Sequence, residues 1–151
     1  MRKTIAAAVA SLVGLTACAQ MRTLTGAPPF DPKNPKVYVV ESPDRKTKAV
    51  VVDQEPIYFF RAQGGKIPIR WQVQTPGYAF QSTRGIDNIQ PQGGAPSGQL
   101  HSCRVEAGTK DEAFVCIFEN TAQGFYKYRI NIIATDGSGD PPPLDPTVGN
   151  D

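Results

Sequence analysis

The chain has 151 residues, with 16 Lys and Arg against 14 Asp and Glu, one His and three Cys. Arg2 and Lys3 account for the whole basic excess, so the chain from Cys18 onward carries 14 residues of each sign and no net charge. That balance excludes the basic stripe of a nucleic-acid binder and the polybasic patch of a protein held to anionic lipid by charge.

Arg2 and Lys3 are followed by an apolar run from Ile5 to Leu15. This is the layout of a secretory signal, with a positive start, a short apolar centre and small residues at the cut. The run is too short, and too interrupted by Ser11, Gly14 and Thr16, for the ~20 apolar residues of a spanning helix. The order Leu15-Thr16-Ala17-Cys18 resembles the lipobox of bacterial lipoproteins. The resemblance implies cleavage after Ala17, lipidation of Cys18 and acylation of the new N-terminus, and therefore a membrane partner reached through that lipid. Two or more acyl chains anchor stably where one alone is marginal. In lipoproteins of the enterobacterial type, Ala19 in place of Asp implies transfer to the outer membrane. The expected location is thus the bacterial cell envelope, with the domain facing the periplasm. The plainer alternative is an ordinary secretory signal with Cys18 left as a free or buried thiol.

Removal of residues 1–17 leaves 134, one domain plus a tether. Residues 18–36 are rich in Pro and polar side chains, without apolar periodicity. They read as a flexible tether of ~18 residues that spans on the order of 60 Å when stretched. Strand signals recur from residue 37. Val37–Val40 is apolar and β-branched and ends at Ser42-Pro43-Asp44; Ala49–Val52 follows, then Ile57–Phe60 before Gly64-Gly65. The clearest strand is Ile67–Gln74, where Ile67, Ile69, Trp71 and Val73 alternate with Pro68, Arg70, Gln72 and Gln74. Tyr78–Phe80 is weaker, and Tyr126, Tyr128, Ile130 and Ile132 alternate with Lys127, Arg129 and Asn131.

With lipid on Cys18, Cys103 and Cys116 form an even pair in an oxidising compartment, which predicts one disulfide. Folding back about Thr109-Lys110 sets Cys103 opposite Cys116, Val105 opposite Phe114 and His101 opposite Phe118, all on one face of a hairpin. Gly108 to Asp111 supply the turn.

Seven or eight short strands, with no sustained helical periodicity, predict an all-β domain over residues 37–135. The expected architecture is an antiparallel sandwich with one hairpin disulfide. Trp71, in the middle of an alternating strand, resembles the central tryptophan of immunoglobulin-like domains, and Tyr126 or Tyr128 resembles their corner tyrosine. Residues 136–151, with Pro141-Pro142-Pro143, read as a Pro-rich tail in extended form, best suited to covering an edge strand. Tyr126–Ile132, followed by Leu144-Asp145-Pro146, is also similar to the C-termini of small bacterial envelope lipoproteins of unassigned activity. Architecture of this kind carries no function by itself.

Chemistry-bearing patterns are sparse. His101 is the single histidine and no Gly-X-Ser-X-Gly accompanies it. With the two cysteines paired, no His, Cys or carboxylate spacing suits a metal, and no Gly-X-Gly-X-X-Gly or P-loop marks a nucleotide cofactor. The expectation is a non-enzymatic interaction or structural module without catalytic residues, cofactor, metal or nucleic acid, and with an envelope protein as partner. Arg84–Leu100, rich in Gly, Pro and Gln, reads as a long loop and offers the first contact candidates, Asn88, Gln90 and Gln92. Tyr58, Phe59 and Phe60 run consecutively, so at least one faces away from the core. Val115 and Ile117 raise the same question on the face opposite Phe114 and Cys116. The alternatives are a small periplasmic hydrolase using His101, or a binder of an envelope ligand such as a glycan using Tyr78 or Phe80.

Overall fold

The structure is a computed structural model, and it describes residues 30–44 and 46–151. The lipobox, Cys18 and the first part of the tether lie outside the described residues. Eleven strands form in chain order: β1 (Lys36–Glu41), β2 (Lys48–Val52), β3 (Ile57–Phe59), β4 (Ile67–Val73), β5 (Tyr78–Phe80), β6 (Ile86–Gln92), β7 (Leu100–Val105), β8 (Ala113–Phe118), β9 (Gly124–Ile130), β10 (Ile132–Ala134) and β11 (Thr147–Asn150). Among the described residues one 3₁₀ turn, Arg61–Gln63, interrupts them. They make a five-stranded sheet ordered β2-β1-β4-β8-β7, a four-stranded sheet ordered β3-β11-β9-β6, and the pair β10-β5. The domain is all-β, as the alternation predicts.

The two larger sheets face each other as a sandwich because their period-two apolar sets need a common interior. Ile67, Ile69, Trp71 and Val73 of β4 are buried from one side, and Tyr126, Tyr128 and Ile130 of β9 from the other. The Trp71 and Tyr128 rings lie 5.2 Å apart in an edge-on arrangement, and Phe118 of β8 lies 6.0 Å from Tyr126. Phe59 of β3 packs at 5.7 Å on Phe118, and Phe80 of β5 at 5.4 Å on Phe114. Each such side chain contributes roughly 1.5–3 kcal/mol through burial. Trp71 therefore occupies the central place expected of it. Neither tyrosine makes a corner, however. The Tyr128 hydroxyl accepts from the Trp71 indole N–H at 3.1 Å, and the buried Tyr126 hydroxyl has no hydrogen-bond partner among the described residues.

Four features depart from the sequence expectation. First, two pairings are parallel, β1 with β4 and β3 with β11, in an otherwise antiparallel set. Second, Arg84–Leu100 is not a long loop. Ile86–Gln92 is β6, paired with β9, and a bulge between Asp87 and Gln90, with Asn88 at φ 48°, hides its alternation. Third, the segment 136–151 is not a tail. It returns through the Ile130–Leu144 bridge, and β11 runs between β3 and β9 with Val148 fully buried. Its turn also lies against β2, where the Lys48 ammonium donates to the Ser138 hydroxyl at 2.9 Å and to the Gly139 carbonyl at 2.9 Å. Fourth, the ordered domain starts before residue 37, because the amides of Arg70 and Gln72 donate to the carbonyls of Lys33 and Pro35.

The predicted disulfide joins Cys103 of β7 to Cys116 of β8, with Cα atoms 4.1 Å apart. Val105 faces Phe114 as expected, but a bulge between His101 and Arg104 moves His101 opposite Ile117 rather than Phe118. Ser102 absorbs the extra residue at φ 53°. Among the described residues no further layer covers Val115 and Ile117. They stay half-buried on the outer face of the five-stranded sheet, flanked by Pro68, Arg70, His101 and Arg104 in the neighbouring strands.

Candidate interaction surface

The outer face of the four-stranded sheet carries the most concentrated exposed aromatic surface among the described residues. In β3 the alternation buries Ile57 and Phe59 and turns Tyr58 outward. In β9 it buries Tyr126 and Tyr128 and turns Phe125 outward. Gly149 of β11 lies between them, in register with Tyr58 on one side and Phe125 on the other, and Phe125 is in turn opposite Gln92 of β6. The result is a row, Tyr58, Gly149, Phe125, Gln92, across the whole sheet.

Glycine at position 149 permits the close approach within this row. A Cβ there would meet the Phe125 ring, which leans across the strand onto the space a side chain would fill. The Tyr58 and Phe125 rings are 6.2 Å apart, and Phe60 stands edge-on to Tyr58 at 5.7 Å. Tyr58 is 38%, Phe125 43% and Phe60 58% exposed. Three part-exposed aromatic residues joined through Tyr58 mark a contact surface far more strongly than apolar residues scattered singly.

Two depressions flank the row. At the β3 end, Phe30, Pro32, Pro56 and Tyr58 make the apolar part of one, with Asp53, Gln54 and Glu55 as its polar rim. The Gln54 amide donates to the Asp31 carbonyl at 2.8 Å, and the Glu55 carboxylate accepts from the Thr147 amide at 2.9 Å. Burial raises the Glu55 carboxyl above its ordinary range, although the Thr147 hydrogen bonds and nearby Lys127 pull the other way. At the β6 end, the turn Gln92–Ala95 and the segment Gln123–Phe125 border a second, open depression of about 340 Å³.

The candidates from sequence divide accordingly. Gln92 belongs to the row and Gln90 is opposite Lys127, one step along the same sheet. Asn88 sits at the bulge and accepts from the Gln90 amide at 3.0 Å, away from the aromatic rings. The run Tyr58–Phe60 resolves with Phe59 inside and its neighbours outside, whereas Phe125 went unmarked. Its signal was available: Tyr126 and Tyr128 alternate inward, which leaves residue 125 facing out. Tyr78 and Phe80, the aromatics of the glycan alternative, are buried at 9% and 0% exposure and present no platform.

His101 is a separate feature on the rim of β7. Its Nδ1 lies 2.8 Å from the Ser102 hydroxyl and its Nε2 2.7 Å from a Glu119 carboxylate oxygen. Among the described residues no cluster of three or more His, Cys, Asp or Glu is placed to hold a metal ion, and no helix is long and apolar enough to cross a membrane. No protein-family model matches the chain, and no curated protein matches its sequence.

Proposed function

We propose that this protein is a non-enzymatic interaction module of the bacterial cell envelope. Lipid on Cys18 holds it to the outer membrane, the segment before residue 30 sets its reach into the periplasm, and the outer face of the four-stranded sheet meets its partner. The observation that carries this reading is the contiguous exposed row of Tyr58, Phe60 and Phe125. Strand addition at β6 is disfavoured, because Pro91 and the Asn88 bulge blunt that edge. Recognition by the sheet face is therefore preferred to recognition at the β6 edge.

A photo-crosslinking residue at Phe125 of the lipidated protein in its native envelope tests the surface, with Tyr38 and Leu144 as control positions. A reproducible adduct at Phe125 that is absent from the controls is the expected result. Adducts at the controls with none at Phe125 would overturn the assignment. Cys18→Ser is expected to abolish acyl labelling and release the protein from the membrane fraction.

The contacts of His101 support the hydrolase alternative, since they link a hydroxyl, an imidazole and a carboxylate in sequence. Labelling of Ser102 by a fluorophosphonate, lost in Ser102→Ala and His101→Ala, would favour it. Absence of labelling removes it.

A further inference from the structure

We propose that the depression between Gln92–Ala95 and Gln123–Phe125 is a binding site for a neutral, hydroxyl-rich ligand of the saccharide class. This deepens the interaction reading above and rests on it. The depression adjoins the aromatic row, because Phe125, 43% exposed, belongs both to the row and to its lining. An exposed ring face is suited to the apolar C–H face of a pyranose. The polar side chains of the lining are the amides of Gln92 and Gln123, each of which both donates and accepts hydrogen bonds. No residue lining the depression is charged. A phosphate or carboxylate ligand would enter without a counter-charge, whereas a sugar needs none.

A second, independent observation points to the same place. The Tyr126 side chain is 1% exposed and its hydroxyl is buried without a hydrogen-bond partner among the described residues. Burial raises its pKa, so the group is a neutral hydroxyl, able to donate or accept. An unpartnered buried hydroxyl is unfavourable, and a polar group brought to it recovers that loss. This oxygen lies close to Gly124, one of the residues lining the depression. A Cβ on Gly124 would stand 3.0 Å from it and would also meet the Ala95 methyl. Glycine at 124 thus leaves room for both. Ala95, which shares the surroundings of Gly124 with that hydroxyl, follows Gly93 and Gly94, at φ 59° and 82°, and is carried by a turn of two adjacent glycines. A small outward shift of Ala95 would bring a ligand hydroxyl, or a water it carries, to Tyr126.

Titration of the isotope-labelled full-length protein with the tetrasaccharides of the chito-, malto-, cello- and manno-series, at millimolar concentration, tests the site by amide NMR shifts. Shifts confined to Gly93, Gly94 and residues 123–125 with at least one series support it. Phe125→Ala is then expected to weaken binding roughly tenfold. Tyr126→Phe is expected to weaken it several-fold while leaving the thermal midpoint of the free protein unchanged or raised, because the lost hydroxyl has no partner to orphan. No shift with any of the four, shifts elsewhere, or an equal response to inorganic phosphate would overturn the proposal. So would unchanged binding in Tyr126→Phe. A protein adduct at Phe125 together with silence from every saccharide would leave the interaction surface standing and remove the saccharide assignment.

Discussion

The indole N–H of Trp71 donates to the Tyr128 hydroxyl at 3.1 Å across the interior of the sandwich, joining β4 of one sheet to β9 of the other. Both residues are essentially without solvent exposure, so each polar group depends on the other. Tyr128→Phe leaves the indole N–H buried and unpaired, and is expected to destabilise the domain by about 1–3 kcal/mol. Trp71→Phe combined with Tyr128→Phe should cost less than the sum of the two single changes. Urea unfolding of the four species of the cycle checks this.

Gly85 precedes β6 at a point where the chain passes over the Phe80–Phe114 pair. A Cβ there would lie 2.5 and 2.6 Å from the Phe114 ring and 2.8 Å from the Phe80 Cβ. Both rings are buried and in contact, which leaves little room for relief. Gly85→Ala is expected to cost roughly 1–3 kcal/mol by overpacking. Gly149→Ala meets the part-exposed Phe125 ring first and then the Gly124 carbonyl, and should cost less while turning the ring away from the row. Thermal melts of the two variants should rank them in that order, and loss of the Phe125 photo-adduct in Gly149→Ala would show the effect on the surface.

The Cys103–Cys116 bond closes a short loop, with a sequence separation of 13 residues. Replacing both cysteines by Ala is expected to lower stability by about 3 kcal/mol in the chain-entropy account. A denaturation midpoint that falls on adding reductant to the native protein, and that does not move in the double variant, is the matching control.

Asn150 closes one end of the sandwich. Its side-chain amide donates to Asn120 at 2.7 Å, its carbonyl oxygen accepts from the Gly124 amide at 3.0 Å, and Asn120 donates to the carbonyls of Phe60 and Gly64. Asn150→Ala strands these groups and is expected to cost about 1–3 kcal/mol. Deleting residues 147–151 removes an interior strand of the four-stranded sheet and should abolish cooperative unfolding. A truncated chain that kept a native-like NMR spectrum would refute this.

Glu55 carries a pH dependence of defined sign. Its folded value is raised above the ordinary value near 4.5, chiefly by burial. Its contribution to stability is therefore fully present below the unfolded value and lost as pH rises through the folded one. Glu55→Gln should flatten the stability profile across the window upward from about pH 4.5, with stability at neutral pH equal to or above that of the parent. The Thr147 amide shift, followed through the same titration, reports the group directly.

Much of this was legible in the sequence because strand alternation is a local property. Ile67–Val73 and Tyr126–Ile130 announce their inward faces by period two, and Cys103 and Cys116 flank an evident turn, so the all-β class and the disulfide needed no tertiary information. β6 and β11 were hidden for different reasons. The Asn88 bulge breaks the alternation of one, and the other is four residues long with a glycine inside, so only its neighbours on both sides make it a strand. The slip that moves His101 from Phe118 to Ile117 depends on Ser102 entering the left-handed region, which composition does not encode. The aromatic row is the furthest from sequence, since Tyr58, Gly149 and Phe125 come from three distant segments. Sequence alone determined the inward faces of β4 and β9, because the pleat of a regular strand is set residue by residue. Tertiary structure decided which strands stand side by side, because that depends on the shared burial of faces far apart in the chain.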